Sequence, residues 1–295
     1  SLMGREAFQE TDVIGMVIPD ITNAFFPQVI RGVEDAARAE GYSVILCNCN
    51  EDPEQELRHL NTLSARRVDG VLIACSDSWT AYDSVMRRRF PIVFVDRLPQ
   101  GLTHGAVSTD NVEAGGLATR HLIELGHQRI AFIAGKLRLS PHSNRLEGFR
   151  QAMQQENLLI RDEYLRMGDL QTESGYRSGL ELLRLPLPPT AIIVSNNKML
   201  LGLLRAIAEL RVPCPDGVSI IGFDDYTWTE HFTPRLTVVA QPTYEIGRRG
   251  MQMLLTKMCS AGGDQQSSDD ELVLLKAELR IRESTAPVSV LAGAR

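Results

Sequence analysis

The chain has 295 residues, 31 basic against 37 acidic side chains, a net charge of −6, and 43% hydrophobic residues. That length exceeds an ordinary single domain, so two lobes are expected; no apolar run approaches the roughly 20 residues of a membrane span, which excludes a helical membrane protein. DNA-reading surfaces normally carry a basic excess; Arg87-Arg88-Arg89 is the only basic run here, so the chain by itself is expected to bind DNA poorly.

The first residues, Ser1-Leu-Met-Gly-Arg-Glu-Ala-Phe8, form no signal peptide, because a charge pair interrupts them and no apolar core follows. Residues 1–11 read as a cloning remnant and linker, and the expectation is a cytoplasmic protein. Val13–Ile18 is a buried strand by length and β-branching, and Phe25–Glu40 is a helix with Phe26, Val29, Ile30, Val33 and Ala37 on one face, stopped by Gly41. Ser43–Cys47 is the next strand, and Asp52-Pro53 supplies an N-cap and first-turn proline for a helix to about Arg66. Gly70–Ala74, Thr80–Arg89 and Ile92–Val95 then read as strand, helix and strand, the alternation of a doubly wound parallel sheet.

The pattern restarts with helix Asn111–Leu125, strand Arg129–Ala134, helices Pro141–Glu156 and Glu173–Leu185, strand Ala191–Val194, helix Asn197–Leu210, strand Val218–Phe223 and helix Tyr244–Met258. Ser260–Asp270 is polar, Gly-rich and acidic, a solvated loop, and Leu272–Ile281 is a closing strand. The fold class is therefore α/β: two similar doubly wound parallel-sheet lobes, with Ala106–Thr109 and Val238–Pro242 as crossings and a ligand cleft between the lobes at the carboxyl ends of the strands.

No Gly-x-Gly-x-x-Gly follows a strand, no Walker loop exists, and no Gly-x-Ser-x-Gly elbow occurs, so no nucleotide cofactor or hydrolase is indicated. Ser195-Asn-Asn-Lys198 matches Ser-x-x-Lys, but its partner motifs Ser-Asp-Asn and Lys-Thr-Gly are missing. The six histidines lack ligand spacing, and the five cysteines (Cys47, Cys49, Cys75, Cys214, Cys259) are scattered, which argues for buried reduced thiols rather than disulfides or zinc. No catalytic residue, metal or cofactor is expected.

The polar residues after the strands are more informative: Asp96 after Ile92–Val95, Asn196 and Asn197 after Ala191–Ser195, Asp224 and Asp225 after Val218–Phe223, and Arg145 opening a helix after the loop Leu139–Ser143. Carboxylates, amides and a guanidinium offer paired donors and acceptors to a hydroxyl-rich ligand, although such residues also serve as helix caps and turn formers. Phe25 and Phe26 open the first helix, and Trp79 and Trp228 follow strands; each ring suits either a ligand wall or the core.

Several segments together resemble the LacI/GalR family of bacterial transcription regulators over residues 12 to 285: Ile14-Gly-Met-Val-Ile-Pro-Asp-Ile-Thr-Asn-Ala-Phe-Phe26, Asp69-Gly-Val-Leu-Ile73, Val95-Asp-Arg97, His121-Leu-Ile-Glu-Leu-Gly-His-Gln-Arg-Ile-Ala-Phe-Ile-Ala-Gly135, Arg145-Leu-Glu-Gly-Phe149, Val218-Ser-Ile-Ile-Gly-Phe-Asp-Asp225 and Leu279-Arg-Ile-Arg-Glu-Ser284. The resemblance implies a periplasmic-binding-protein-like core with a third crossing in the acidic loop. The implied lobes are 12–107 with 242–264 and 108–241 with 265–285, followed by a tail, 286–295. It also implies a homodimer formed largely by the N-terminal lobe, and operator DNA read by a helix-turn-helix headpiece that is not in this chain. Asp96, Arg145, Asn196, Asp224 and Gln241 match ligand-contact positions of sugar-responsive members. Leu170 stands where many members have a stacking aromatic, so stacking falls to Phe26 or Trp228, and Asn197 replaces the more usual Asp. The expected effector is a neutral sugar or singly charged sugar acid, ahead of a purine, which would want aromatic faces on both sides. The rival reading is the sugar-binding receptor of a transport system, which shares the fold.

Overall fold

The computed structural model describes residues 11–77, 90–260 and 272–288. The expected N-terminal remnant, the helix Thr80–Arg89 with its basic run, Trp79, residues 261–270 of the acidic loop and the end of the tail lie outside the described residues.

In chain order the elements are β1 (Val13–Ile18), α1 (Phe26–Ala39), β2 (Ser43–Asn48), α2 (Pro53–Ala65), β3 (Gly70–Ile73), β4 (Ile92–Val95), β5 (Ala106–Thr109), α3 (Asn111–Glu124), β6 (Ile130–Ala134), α4 (Ser140–Gln155), β7 (Leu165–Met167), α5 (Thr172–Leu183), β8 (Ala191–Val194), α6 (Asn197–Leu210), β9 (Ser219–Phe223), α7 (Thr227–His231), β10 (Thr237–Ala240), α8 (Thr243–Ser260), β11 (Leu272–Leu275) and β12 (Glu278–Arg280). The chain divides into two compact units, one running to Ser108 and resuming over Thr243–Val273, the other comprising Thr109–Pro242 and the chain from Leu274 onward.

Each unit holds a six-stranded sheet, ordered β11-β5-β4-β3-β1-β2 in the first and β12-β10-β9-β8-β6-β7 in the second. The two orders match strand for strand, with β6 in the place of β1 and β9 in the place of β4. Pairing through β2, β1, β3, β4 and β5, and through β7, β6, β8, β9 and β10, is parallel, and β12 joins β10 antiparallel. Strands covered by helices on both faces lose the alternation of a half-buried strand, and β3, β4, β6, β8 and β9 are buried at every position. In the first unit, Leu60 and Leu63 of α2 pack with Val71, Ile73 and Phe94. In the second, Met199, Leu200 and Leu203 of α6 pack on one face, and Leu146, Phe149 and Met153 of α4 on the other.

Local signals account for the helix starts. Asp52 caps α2 by accepting from the Glu54 amide at 2.8 Å, and Pro53 occupies the first turn. Chain reversal after α1 uses Gly41 at φ 85.

Some elements differ from expectation. The single closing strand is two strands, β11 and β12, which belong to different sheets. Val238–Ala240 belong to β10, between β12 and β9, and the chain leaves the second unit after Pro242. Neither β7 nor α7 is anticipated from the sequence: one is a three-residue edge strand and the other a five-residue helix, both too short for a periodic signal. Cys49 and Cys75 are buried, but Cys259 is exposed. No described helix is long and apolar enough to cross a membrane.

Candidate effector-binding site

Asp96 and Asp224 directly follow β4 and β9, the same place in each sheet. Both backbones are left-handed, with φ 62 and 71. Each amide nonetheless continues the ladder, Asp96 to Val107 O and Asp224 to Val239 O, both at 2.9 Å. Asp tolerates this conformation better than most side chains, and it turns the chain out of the sheet while the carboxylate stays buried. Residues kept in sparse backbone regions tend to mark functional sites.

In the first unit, the Ser108 hydroxyl donates to the Asp96 carbonyl at 2.7 Å. Arg97 is 3% exposed and donates two hydrogen bonds to Glu51, at 2.8 and 2.9 Å. Burial pulls the Arg97 pKa down, but Glu51 and, more weakly, Asp96 raise it above its ordinary value. The principal partner of Arg97 is Glu51, which reaches it from the loop before α2. Phe26 is 1% exposed, lies beneath Arg97 at 6.0 Å and meets Phe25 edge-on at 5.2 Å.

In the second unit, a directional chain of hydrogen bonds connects several candidates. Asn197 Nδ2 donates to the Tyr226 hydroxyl (2.6 Å), which donates to Asp224 Oδ2 (3.1 Å). Gln241 Nε2 donates to the other oxygen of Asp224 at 2.5 Å, and Gln241 Oε1 accepts from the Thr109 hydroxyl at 2.8 Å. Asn111 Nδ2 donates to the Thr109 carbonyl (3.0 Å), while Asn111 Oδ1 accepts from Arg145 Nε (2.7 Å). Arg145 Nη1 finally donates to the Ser195 carbonyl at 2.7 Å, and its guanidinium lies 4.2 Å from the centre of the Phe223 ring. Burial pushes the Asp224 carboxyl above its usual range, against the opposing pull of Arg145, Gln241 and Tyr226. Tyr226 is raised too, by burial and then by Asp224.

The expected residues Arg145, Asp224 and Gln241 thus come together. Asn196 lies next to them, but its Oδ1 caps α6 through the Met199 amide at 2.9 Å, the structural role its sequence position also allowed. Trp228 sits on α7, stacks on Tyr226 with centroids 6.4 Å apart and packs against the hydrophobic core. Leu170 is 4% exposed at φ 74 and crowds the Cα of Gly135 together with His142, so an aliphatic wall fills this corner. The Ser195 hydroxyl is fully buried, accepts from the Gly135 amide at 2.9 Å and lies 3.2 Å from His142 Nδ1. Asp225 faces away from this chain of bonds: burial draws its carboxyl up, but hydrogen bonds from Arg282, Thr229 and Arg280 hold it down at about 2.

Thr109, Asn111 and Tyr226 escape the sequence reading, and Asn197 enters it only as a doubtful position. The one available signal was Asp110-Asn111 at the start of a helix, which reads as a cap; Asp110 is indeed the cap, accepting from the Glu113 amide at 3.0 Å. Among the described residues no group of three or more His, Cys, Asp or Glu side chains is placed to hold a metal ion.

Residues 119–285 match the family model described as a periplasmic binding protein-like domain. The chain is 35% identical over 259 residues to the ribose operon repressor of Escherichia coli K12, covering 87% of this chain and 78% of the repressor. It is 34% identical over 282 residues to the HTH-type transcriptional repressor PurR of Haemophilus influenzae, covering 94% of this chain and 82% of that protein. A LacI family transcriptional regulator from Enterococcus faecium, solved with bound ribose, superposes with a TM-score of 0.80 at 31% identity, over 94% of this chain and all of that one. These relatives are regulators of transcription rather than transport receptors, and with the fold and the strand-end cluster they place the protein: the chain belongs to the LacI family and is the effector-binding core of a transcription regulator.

Proposed function

We propose that the effector is a monosaccharide or a singly charged sugar acid, held in the second unit by Arg145, Asp224, Gln241, Asn197 and Tyr226. The observation that carries this reading is the buried hydrogen-bond chain at the carboxyl ends of β8, β9 and β10, which alternates donors and acceptors within one small region. A hydroxyl both donates and accepts, so adjacent sugar hydroxyls fit such a set. Arg145 accommodates one negative group, whereas Asp224 disfavours a doubly anionic ligand. The aliphatic Leu170 speaks against a planar purine, which gains most from two aromatic faces. The names of the ribose operon repressor and of the ribose-bound neighbour support the same class.

The effector acts by differential affinity for two arrangements of the protein, shifting their populations and with them the affinity for operator DNA. DNA contact belongs to a helix-turn-helix segment outside these 295 residues, the protein works in the cytoplasm as a homodimer, and its role is binding rather than catalysis. Isothermal titration and thermal shift with D-ribose, other monosaccharides, aldonates, hypoxanthine and guanine test the assignment. A carbohydrate that binds the folded chain raises its stability by about 2.7 kcal/mol at a hundredfold excess over Kd. Tight purine binding without any carbohydrate response overturns the reading.

A further inference from the structure

We propose that Thr109 is a positioning residue for effector binding, the junction that presets both Gln241 and Arg145. The inference rests on the reading of these side chains as effector contacts. Thr109 uses two different atoms. Its hydroxyl donates to Gln241 Oε1 at 2.8 Å, and its carbonyl accepts from Asn111 Nδ2 at 3.0 Å. One arm then continues from Gln241 to Asp224 and Tyr226, the other from Asn111 to Arg145 and the Ser195 carbonyl.

The direction of each bond gives the role its content. An ionised carboxylate only accepts, so Gln241 turns its Nε2 to Asp224 and its oxygen to Thr109. That oxygen needs a donor, and the Thr109 hydroxyl is the group that supplies it. Removing the hydroxyl leaves the amide tethered at one end only and lets it rotate away from Asp224. Asn111 works alike: with Nδ2 on the Thr109 carbonyl, its oxygen faces Arg145 Nε and fixes the plane of the guanidinium. Thr109 is 2% and Asn111 3% exposed, so water is a poor substitute for either bond. Thr109 itself is held as the last residue of β5, followed by Asp110, whose amide donates to Leu275 O at 2.8 Å.

Thr109→Val removes the hydroxyl at nearly constant shape, and Thr109→Ser restores it. Two measurements decide the proposal. In the ligand-free protein, the Gln241 side-chain amide protons, assigned with Gln241→Glu, should resonate apart and exchange slowly. They should move towards solvent-exposed values in Thr109→Val and return in Thr109→Ser. In titrations with D-ribose, Thr109→Val should weaken binding about tenfold, the scale of one lost buried hydrogen bond, and Thr109→Ser should recover most of it. A merely structural threonine would lower the melting temperature without moving the Gln241 signal. An unchanged Gln241 signal, or equal affinity in Thr109→Val, overturns the proposal. If the wild type binds no carbohydrate, the sugar reading fails and the ligand-free Gln241 signal alone decides the role of Thr109.

Discussion

Arg145 is held by groups that exist without any ligand: Asn111, the Ser195 carbonyl and the Phe223 ring. Preorganisation of this kind lowers the ordering cost on binding. Arg145→Ala should therefore abolish the effector-induced melting shift and cost the ligand-free protein about 1.5–3 kcal/mol, the range for hydrogen bonds to a charged group; an undiminished shift would remove Arg145 from the site. A second residue-scale effect concerns pH. His127 holds Thr190 Oγ1 at 2.8 Å and Ala286 O at 3.0 Å, and His121 holds Thr285 at 3.1 Å. Burial keeps both imidazoles below their ordinary pKa. The unfolded chain therefore takes up protons first as pH falls through about 6.5, and stability drops, while above that both states are neutral and nothing changes. Asp224 runs the other way, because its raised carboxyl gains stability as pH falls. The melting temperature should decline on acidification from pH 8 to pH 5, and less so in a His121→Gln/His127→Gln variant; equal slopes would rule out the histidines as the cause. The sequence exposes Asp96, Arg145, Asn196 and Asp224 because each follows an apolar run or opens a helix, whereas Gln241 is reached only through the family resemblance. Thr109 and Tyr226 stay hidden because their roles lie in bonds to side chains elsewhere, Thr109 to a residue 132 positions away.

Helices α3 and α4 meet at glycines, and this contact sets where Arg145 stands. A Cβ at Gly115 would come within 2.1 Å of the Arg145 carbonyl, and one at Gly148 within 1.9 Å of the Val112 carbonyl. The backbones touch, so Asn111 at the start of α3 reaches Arg145 on α4. Gly148→Ala should push the helices apart, lower stability by about 1–3 kcal/mol as overpacking does, and weaken D-ribose binding as well. A variant that melts earlier but binds normally would show that the crossing and the site are uncoupled. Long amphipathic elements such as α1 are legible because Phe26, Val29, Val33 and Ala37 recur with helical period and are buried as a stripe. The break inside Leu272–Ile281 is not, because an apolar run does not say which sheet it will join, and β10 reads like any short buried strand at the end of a connection.

Both sheets carry the same strand order, so Asp96 and Asp224 occupy equivalent strand ends and share a left-handed backbone. The repeat of the βα module is legible in the sequence as a pattern that starts again at Asn111; which residues bond to which across it is not, since that depends on packing. Assembly is the first property to check on the entire molecule. Light scattering should give about twice 32.8 kDa at micromolar concentration, as the proposed homodimer with its two-fold self-interface requires, and a monomer at high concentration would overturn that assembly. DNA binding is the second. Each phosphate contact releases a counterion and contributes about −0.9 to the slope of log K against log salt. With 31 basic against 37 acidic residues the chain offers no cationic excess for such contacts. The 295-residue protein should accordingly leave a duplex unshifted in gel mobility at about 50 mM salt, with or without D-ribose. Retardation that weakens steeply with added salt would mean that cations gather on one face despite the negative total, and that part of the DNA contact lies within these residues.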